Sequence, residues 1–530
     1  MAQGSHLASS TTPLKCCQGS PPSASRYSFT VALRKICKLV IVSGWWQLRS
    51  SLPITIIYVV LCLLWIEFAG TAPNIIAAAY NQQSLQVLNW IFQNHRSEPI
   101  DHYLDRWSMI TSAVPIAMIM HLLIVLLIKR FDRKHRLLLH GAVICSPSNA
   151  TLITFSAAFL AVTVFSWAIY WAHGDYAGYL TEWMALLRGD DPWPLRGGDH
   201  WPDVDGLPPY PFNAYGPLFN ALAPLVLVNP YINKLLFAFF YLAYVVWLIK
   251  DFGPRQGLVV FWWPWLGFCL LNPFPWVEVA YFGYFDVLVG LACVAAVHNL
   301  IGKKEAVSGT YLGLGILLKY LPIVILPFLV FSERRFHFRL LSCCVGVVIF
   351  GLLLSVLIWG TSTFMPLTFA ATRPPYWSIY DVFASAHSPL RLFRDPLDWL
   401  EKPFLVIIGL GVFTWCVWRR TGPALSATLA VLVALLFYRM GFINYQMVLF
   451  MLISYWIVSE WRQVAKHSIL MALLGGYFGV LAIQELAHWF RFPPEPLRIG
   501  YVMFKFLSGC VLLIGLILFS AGQHHERPEE

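Results

Sequence analysis

The residues best suited to chemistry lie in a polar, aromatic-rich stretch, 172–217, that interrupts a strongly apolar chain. It follows the apolar run TLITFSAAFLAVTVFSWAIYW and opens with HGDYAGYLTEW. An acidic residue in the first turn after a membrane span lies at the boundary between water and lipid. There a carboxylate stays ionised and still reaches a substrate held by its lipid tail. We therefore expect Asp175 to accept a proton from a sugar hydroxyl, or to orient that hydroxyl, from within about 3 Å.

Aromatic side chains accompany Asp175 in the sequence. Tyr176, Tyr179 and Trp183 would form a wall against which a sugar ring stacks. The same residues also fit a purely structural interpretation, in which Asp175 caps the next helix while Glu182 and Trp183 lie on the surface of that helix. The spacing leaves both interpretations open.

The stretch closes with the motif PPYPFNAYGPL, in which Tyr215 precedes a Gly-Pro pair. Aromatic residues bounded by proline predict a rigid turn at the membrane surface. Gly216 and Pro217 would begin a half-helix, too short to cross the membrane, whose unpaired backbone N–H groups are offered to an anion. The alternative is a proline-rich loop that simply re-enters the membrane.

Three charged residues lie in or beside apolar runs, where an ion is costly and is a functional candidate by default. Glu278 and Asp286 belong to NPFPWVEVAYFGYFD, and Lys319 belongs to LLKYLPIVILPF. We expect Glu278 or Asp286 to orient a sugar or to hold a divalent ion, and Lys319 to neutralise a phosphate. In the structural alternative, either acid pairs with an Arg or Lys of a neighbouring span, and Lys319 extends to the membrane surface.

Two further motifs combine polar and aromatic residues. Arg373, in ATRPPYWSIYDVF, suits bidentate binding of a phosphate, and Trp377 in the same motif suits a sugar ring. Tyr445 and Gln446, in FINYQ, offer polar groups at the end of a span. An interfacial aromatic belt and a helix cap explain these residues equally well.

The composition indicates the class of protein that must position these residues. The chain has 530 residues, of which 58% are hydrophobic and 12% are charged, whereas soluble domains carry about 25% charged residues. We predict an all-α, polytopic membrane bundle of about 11–13 transmembrane helices, because many uncharged runs are long enough to cross a bilayer. The net charge of +10 comes from short basic clusters typical of cytoplasmic loops, so no nucleic acid partner is expected.

The basic clusters also predict the topology, with both termini in the cytoplasm and the candidate residues together on the outer face of the cell membrane. The predicted regions are a cytoplasmic, partly disordered tail (1–50), an additional two-span extension (51–145), a membrane catalytic module (146–520) with outer loops at 172–215 and 361–401, and a cytoplasmic tail (521–530).

Residues 308–331 have basic residues on both flanks, which requires an even number of crossings within a short stretch. We therefore predict a hairpin of two half-helices with Lys319 and Pro322 near its tip, where proline breaks the helix. Irregular backbone at this depth needs protein or a wet cavity around it.

The sequence lacks the motifs of several enzyme classes. No Walker loop, kinase motif set, HExxH or GxSxG is present, and the DVD triplet at 203–205 has no Rossmann context. Without a nucleotide-binding fold a nucleotide-sugar donor is not expected, which favours a donor carried by a lipid.

Five segments then occur in a characteristic order: DYAGYLTEWMALLRGDDPW (175–193), NAYGPLFNALAP (213–224), NP…GYFD (272–286), GTYLGLGILLKYLPIVILP (309–327) and INYQMVLFMLISYW (443–456). This order resembles that of the GT-C superfamily of membrane glycosyltransferases. The similarity is greatest to the bacterial branch that uses polyprenyl-phosphate mannose, the alpha-mannosyltransferase-like proteins.

The resemblance implies roles for particular residues. The catalytic acid of the first outer loop corresponds to Asp175. The family's Tyr-Pro-Pro-Leu motif reads Tyr-Gly-Pro-Leu at 215–218, and its Gly-Gln-Phe-Asp motif reads Gly-Tyr-Phe-Asp at 283–286. The lysine–proline motif corresponds to Lys319 and Pro322.

These observations predict an integral-membrane glycosyltransferase with a GT-C-like catalytic module. It would transfer a hexose, with mannose as the implied sugar, from a polyprenyl-phosphate carrier to a hydroxyl of a glycan, lipid or protein outside the cytoplasm, with inversion. No tightly bound cofactor is expected, and a divalent cation (Mg²⁺ or Mn²⁺) is left open. The alternatives are a transporter or flippase for a lipid-linked sugar, and a non-catalytic membrane protein of envelope polymer assembly.

Overall fold

The computed structural model of the chain is a bundle of helices. It describes residues 60, 100–138, 149–169, 175–187, 189, 191, 193, 215–252, 267–367, 375–385, 388, 394–439, 441–464, 466–490 and 495–522. Most of the predicted two-span extension before residue 100 lies outside these residues, as do both terminal tails, as far as residue 50 and from residue 523.

The first helices lead into the predicted site. They are α1 (Ile100–Leu138), α2 (Asn149–Ile169), α3 (Asp175–Leu187), α4 (Pro217–Asn220) with a 3-10 turn (Ala223–Leu227), α5 (Ile232–Trp247) with a π-helical turn (Leu248–Phe252), a π-helical turn (Gly267–Leu271), α6 (Pro273–Pro275) with a π-helical turn (Trp276–Phe282), and α7 (Asp286–Ile301).

The remaining helices complete the bundle. They are α8 (Glu305–Leu318), a 3-10 turn (Leu321–Ile325), α9 (Leu326–Val330), a 3-10 turn (Ser332–Arg334), α10 (Phe338–Trp359) with a 3-10 turn (Gly360–Phe364), α11 (Ile379–Ala384), α12 (Arg394–Trp418), α13 (Pro423–Phe437), α14 (Gln446–Ser459), α15 (Trp461–Val464), α16 (Ser468–Phe490) and α17 (Glu495–Gly522).

The architecture confirms the prediction of an all-α polytopic membrane protein. Within the described ranges, six segments are long and apolar enough to cross a membrane: Ala113–Asp132, Asn149–Ser166, Ile232–Phe252, Phe338–Leu367, Glu401–Trp418 and Arg498–Gly522. Shorter apolar helices of 10–17 residues, among them α7, α8, α13 and α14, lie between them. Residues of α13 and α14 are buried almost throughout, so these helices form the core of the bundle, whereas most of the apolar surface of α10 is not covered by protein.

The first predicted outer loop, 172–215, begins with a helix. The chain is helical from Asp175 to Leu187, because Tyr176, Tyr179 and Trp183 recur at helical spacing and share one face. That face is buried, and Glu182 and Trp183 are both fully inaccessible. The part of the structural alternative that placed Glu182 and Trp183 on the helix surface is therefore wrong, whereas the helix cap by Asp175 stays a prediction.

The predicted hairpin after α7 is present. Helix α8 ends at Leu318, and Lys319 is extended (φ −157°, ψ 134°). Pro322 lies at the start of the following 3-10 turn, and short α9 returns towards the level of the α8 start. His337 Nδ1 lies 3.0 Å from Glu305 Oε1, which shows that the chain leaves and returns to the same end of the bundle, with Lys319 at the far end.

Basic clusters gather at this end, which we call the basic end. Lys303 and Lys304 form the turn between α7 and α8. Arg334 donates hydrogen bonds to the carbonyl oxygens of Val417 and Trp418, at 3.3 and 2.8 Å, at the end of α12. The basic clusters that predicted cytoplasmic loops are therefore neighbours in space.

Three predicted site residues lie at the opposite end, which we call the site end. Asp286 is the first residue of α7, whose last turn reaches the basic end. Lys319 follows the last residue of α8. Gln446 begins α14, and the far end of α14 lies beside the start of α13, where a Cβ on Gly422 would be 3.2 Å from Glu460 Oε1.

Gly216 joins the half-helix α4 to the hairpin. Its N–H donates to the carbonyl oxygen of Leu318, at 3.1 Å, which satisfies a carbonyl left unpaired where α8 breaks. A Cβ at position 216 would lie 2.1 Å from the carbonyl oxygen of Leu317. Glycine at position 216 therefore serves two purposes, because a proline could not donate this bond and any side chain would push the two segments apart.

We expect Gly216→Ala to lower stability, because the new methyl group overlaps backbone that cannot move without displacing Lys319. The free energy of unfolding should fall by about 1–3 kcal/mol, the usual cost of overpacking. Thermal unfolding of the detergent-purified protein measures this loss. Gly346→Ala is the matched control, since a Cβ there meets nothing within 4 Å. Equal melting temperatures for the two variants would contradict the proposed contact.

Candidate active site

A buried ion pair lies at the centre of the site end. Lys319 Nζ is 2.6 Å from Asp286 Oδ1, and the two residues are only 4% and 0% exposed. The helix break at Lys319 and the start of α7 at Asp286 bring these two groups together. An ammonium group carries three hydrogen-bond donors, so a lysine can bind more than one acceptor.

Three aromatic rings surround the Lys319 ammonium. Nζ lies 3.6 Å from the ring centroid of Tyr445, 5.2 Å from that of Phe285 and 5.7 Å from that of Tyr215. A desolvated cation over an aromatic face gains about 2 kcal/mol. Asp286, Lys319, Tyr445, Phe285 and Tyr215 form what we call the Lys319 cluster.

The ion pair within the Lys319 cluster agrees with the structural alternative for Asp286, in which this acid pairs with a lysine of a neighbouring segment. The phosphate binding predicted for Lys319 would therefore have to take place beside this ion pair. An incoming phosphate must share or replace Asp286 as the partner of a cation that has already lost its water.

Helix α3 packs onto the Lys319 cluster through aromatic contacts. The ring of Tyr179 lies 5.3 Å from Tyr215 and 5.5 Å from Phe285. The Trp183 indole N–H donates to the carbonyl oxygen of Phe219, at 3.2 Å. The aromatic residues predicted to form a wall for a sugar are therefore packed against protein rings on this side of α3.

Tyr176 fixes the start of α3. Its hydroxyl donates to the carbonyl oxygen of Pro230, at 2.8 Å, and accepts from the N–H of Lys234, at 3.2 Å. Tyr176 is only 4% exposed, so its predicted contact with a substrate would have to use an edge of the ring.

Asp175 is the first residue of α3, and its side chain lies outside the described part of the structure. Tyr179 follows one turn later on the same helix face. The backbone of Asp175 therefore lies about 6 Å along the helix axis from a residue that contacts the Lys319 cluster.

Glu278 lies in a buried π-helical turn that precedes the Lys319 cluster in the chain. The turn ends at Gly283, which has φ 75°, and the N–H of Tyr284 donates to the Glu278 carbonyl oxygen at 3.0 Å. The left-handed conformation favours glycine, and a Cβ at Gly283 would lie 2.6 Å from Lys234 Cγ. The Lys234 ammonium in turn donates to Tyr281 O at 2.5 Å, which fixes the turn against α5.

Trp377 belongs to a second cluster at the site end. Its backbone is left-handed (φ 51°), and its side chain is 5% exposed and packs with Val382 and Val502. Lys505 Nζ donates to the carbonyl oxygens of Trp377 and Gly441, at 2.6 Å each. Trp377 therefore connects its loop to α17 and to the segment that carries Tyr445.

Ion pairs support the same region. Arg439 binds Glu401 with Nη2 at 2.6 Å and Nε at 2.9 Å from the carboxylate oxygens, and Arg498 pairs with Asp381. Burial raises the pKa of Tyr380, near Glu401 and Arg439, to about 12, so it remains a neutral hydroxyl at physiological pH. The predicted phosphate ligand Arg373 lies outside the described residues.

Gln446 is buried below Tyr445. Its Oε1 accepts a hydrogen bond from the Tyr477 hydroxyl, at 3.0 Å, and the residue is 1% exposed. In this structure Gln446 attaches the start of α14 to α16.

The two predicted outer loops meet each other. Ser362 Oγ donates to Asp191 Oδ2 at 2.6 Å, and the rings of Trp193 and Trp359 lie 5.1 Å apart in an edge-to-face arrangement. The contact supports the grouping of both loops at one end of the bundle.

The structure thus brings together Tyr215, Asp286, Lys319 and Tyr445, which the sequence had proposed from four separate motifs. It adds Phe285, Lys234 and Lys505, which the sequence analysis missed. The signal for Lys234 and Lys505 was available, since each is an ionisable residue within an apolar run. Among the described residues no group of three or more His, Cys, Asp or Glu side chains is arranged to hold a metal ion.

We expect the buried pair to show strong energetic coupling. Lys319→Met or Asp286→Leu alone should each lower the free energy of unfolding by about 3–5 kcal/mol, because each leaves an uncompensated buried charge. The double variant should lose less than the sum of the two. Denaturant unfolding of the four proteins in detergent measures this cycle.

The pair of His337 and Glu305 at the basic end is the control for this cycle, because its side chains are 12% and 32% exposed. Its coupling should be about 0–1 kcal/mol. Additive losses for Lys319 and Asp286 would show that the two charges do not depend on each other.

The chain is similar to one known family. The model of glycosyltransferase family 87 matches residues 213–440, a segment that contains Tyr215, Glu278, Asp286, Lys319, Arg373 and Trp377. Asp175 and Tyr176 precede the matched segment, and Tyr445 and Gln446 follow it. Searches of curated proteins and of solved structures found no significant match. Together with the apolar helical bundle, the match to family 87 supports a multi-pass membrane glycosyltransferase.

Proposed function

We propose that the chain transfers one hexose from a polyprenyl-phosphate carrier to an acceptor hydroxyl outside the cytoplasm, with inversion. Mannose is the first sugar to test, because the sequence resembles enzymes that use polyprenyl-phosphate mannose. The single observation that carries the proposal is the buried pair of Lys319 and Asp286 at 2.6 Å, within the segment that matches a glycosyltransferase family.

The chemistry of the Lys319 cluster suits a sugar phosphate. A phosphate diester at the anomeric carbon carries one negative charge, and its departure as a monoester adds a second charge to the leaving oxygen. Lys319 and Arg373 would stabilise that developing charge, and electrostatic stabilisation of this kind is strongest in a site that excludes water. Asp286 or Glu278 would orient the sugar hydroxyls, and Tyr215 and Tyr445 would contact the sugar ring.

In the proposed step, Asp175 accepts the proton of the acceptor hydroxyl. The acceptor oxygen attacks the anomeric carbon from the face opposite the phosphate, and the bond between that carbon and the phosphate oxygen breaks. The electron pair leaves with the lipid phosphate, so the anomeric configuration inverts. The position of Asp175, one turn before Tyr179 on a helix that packs against Tyr215 and Phe285, supports this assignment.

The residues near the pair also bear on metal use. A divalent cation, Mg²⁺ or Mn²⁺, would need an acidic ligand beside the donor phosphate, and Asp286 is the acid that contacts Lys319. Arg373 and Lys319 would otherwise supply the positive charge themselves.

The proposed orientation follows from the two ends of the bundle. The basic end would face the cytoplasm under the rule that Lys and Arg accumulate in cytoplasmic loops. The Lys319 cluster and the loops that meet through Asp191 and Ser362 would then face outward, where the donor is a lipid rather than a nucleotide.

Asp175→Asn should lower turnover of polyprenyl-phosphate mannose by about 10²- to 10⁴-fold, the usual contribution of a general base, with little change in the donor KM. The measurement is transfer of labelled mannose by purified wild-type and variant proteins. Glu333→Gln is the control, because Glu333 is exposed at the basic end and should retain wild-type turnover.

An Asp175→Asn protein that keeps turnover within tenfold of the wild type would remove Asp175 as the base. If the wild type instead moves a labelled lipid-linked sugar between leaflets without transferring it, and Asp175→Asn still does so, the transporter alternative replaces the proposal.

Accessibility labelling tests the orientation. In a background without native cysteines, Thr361→Cys should react with a membrane-impermeant maleimide on intact cells, and Lys303→Cys only after permeabilisation. Both native residues are exposed and lie at opposite ends of the bundle. The reverse pattern would place the Lys319 cluster on the cytoplasmic side.

A further inference from the structure

Among the described residues, Gln484 is a buried amide without a hydrogen-bonding partner. It lies in α16, is 1% exposed, and neither its Oε1 nor its Nε2 has a partner in the described part of the chain. An amide buried in this way costs about 1–3 kcal/mol relative to one that is hydrogen-bonded. A position that any apolar residue would fill at lower cost therefore calls for an explanation.

Three other buried amides of the bundle have a hydrogen-bonding partner within the protein. Gln446 accepts from the Tyr477 hydroxyl, Asn299 donates to Ala295 O at 2.7 Å, and Asn272 accepts from the N–H of Phe274 at 2.9 Å. Each of these amides has a protein partner that accounts for its presence, whereas Gln484 has none within the part of the chain that the structure describes.

Gln484 lies at the site end, on the face of α16 that meets the start of α14. Tyr477, two turns earlier on the same face, binds Gln446, the first residue of α14. Gln484 is therefore about 10 Å further along the helix towards the site end.

The register between α16 and α17 refines this placement. A Cβ on Gly515 would lie 3.2 Å from Leu473, and one on Gly509 would lie 3.3 Å from Tyr477, so the two helices run antiparallel. The same antiparallel pairing, continued for two more turns of α16, places Gln484 at the same height along the helix axes as Val502.

Val502 is a buried residue of the cluster around Trp377, which is linked through the chain to Tyr445. It packs with Trp377, and Lys505, one turn further along α17, binds the carbonyl oxygens of Trp377 and Gly441. The segment from Gly441 leads directly to Tyr445, whose ring lies under the Lys319 ammonium.

We propose that the Gln484 amide binds adjacent hydroxyl groups of a carbohydrate, either the sugar being transferred or a sugar of the acceptor. An amide presents one acceptor oxygen and one donor NH₂ group side by side, which match a pair of neighbouring hydroxyls. A phosphate would instead select a cation such as Lys319, and a lipid tail would leave the amide unpaired. This inference rests on the proposed glycosyltransferase function and adds a residue that determines sugar recognition.

The decisive variant is Gln484→Met, which keeps the volume and removes the amide. We expect an unchanged or higher melting temperature, because an unpaired buried amide is removed. At the same time the KM for either polyprenyl-phosphate mannose or the acceptor should rise about three- to tenfold, the loss expected for one or two hydrogen bonds. A rise confined to one substrate identifies whether Gln484 binds the donor sugar or the acceptor.

Asn299→Leu is the matched control, since it removes a buried amide that is bonded within the protein at the basic end. It should lower the melting temperature and leave both KM values unchanged. If Gln484→Met also loses stability, the amide has a protein partner and the proposal is overturned. It is equally overturned if Gln484→Met keeps both KM values within twofold of the wild type.

Binding of methyl α-mannoside, followed by thermal shift, separates this proposal from the proposed function because it needs no turnover. Stabilisation of the wild type that is weakened at least threefold in Gln484→Met supports the carbohydrate site even if no transfer is observed. Absence of transfer by the wild type would count against the enzyme, whereas equal stabilisation of the two proteins would count against the Gln484 site.

Discussion

The ion pair between Lys319 and Asp286 is the constraint on which the site end depends. A buried pair is tolerated only where its geometry is fixed, and three features fix it here. Helix α8 stops at Leu318 so that Lys319 can turn inward, and α7 starts at Asp286. Gly216 then satisfies the carbonyl exposed by the helix break. The half-helix, the hairpin and the start of α7 therefore have to be assembled together around one ammonium group.

Several parts of this arrangement could be predicted from the sequence because they follow from local rules. The basic residues on both flanks of residues 308–331 required the chain to turn back within the membrane. Pro322 located the tip of the resulting hairpin. A charged residue in an apolar run marked Asp286 and Lys319 as candidates. The sequence could not show that these two candidates are partners of each other, because the pairing depends on how α7 and α8 pack.

Other expectations depended on tertiary contacts that no local pattern contains. Tyr176 and Trp377 carry the aromatic side chains expected at a sugar site, yet both are packed into the protein. The polar composition of the stretch from Asp175 predicts a loop, whereas its aromatic residues form the buried face of a helix. Lys234 and Lys505 escaped notice because a lone lysine in a span does not reveal that it binds backbone carbonyl oxygens.

The pairing of Lys319 with Asp286 also has a consequence for selectivity. Membranes contain a large excess of anionic phospholipids, and an isolated lysine facing lipid would be occupied by their headgroups. A lysine that is already neutralised attracts no anion from a distance, since the two charges together form only a short dipole. A headgroup that replaces Asp286 as the partner of Lys319 gains little binding free energy. A ligand that also contacts the surrounding aromatic rings can offset the loss of the ion pair. An ion pair that is already formed would therefore discriminate against these abundant anions of the membrane.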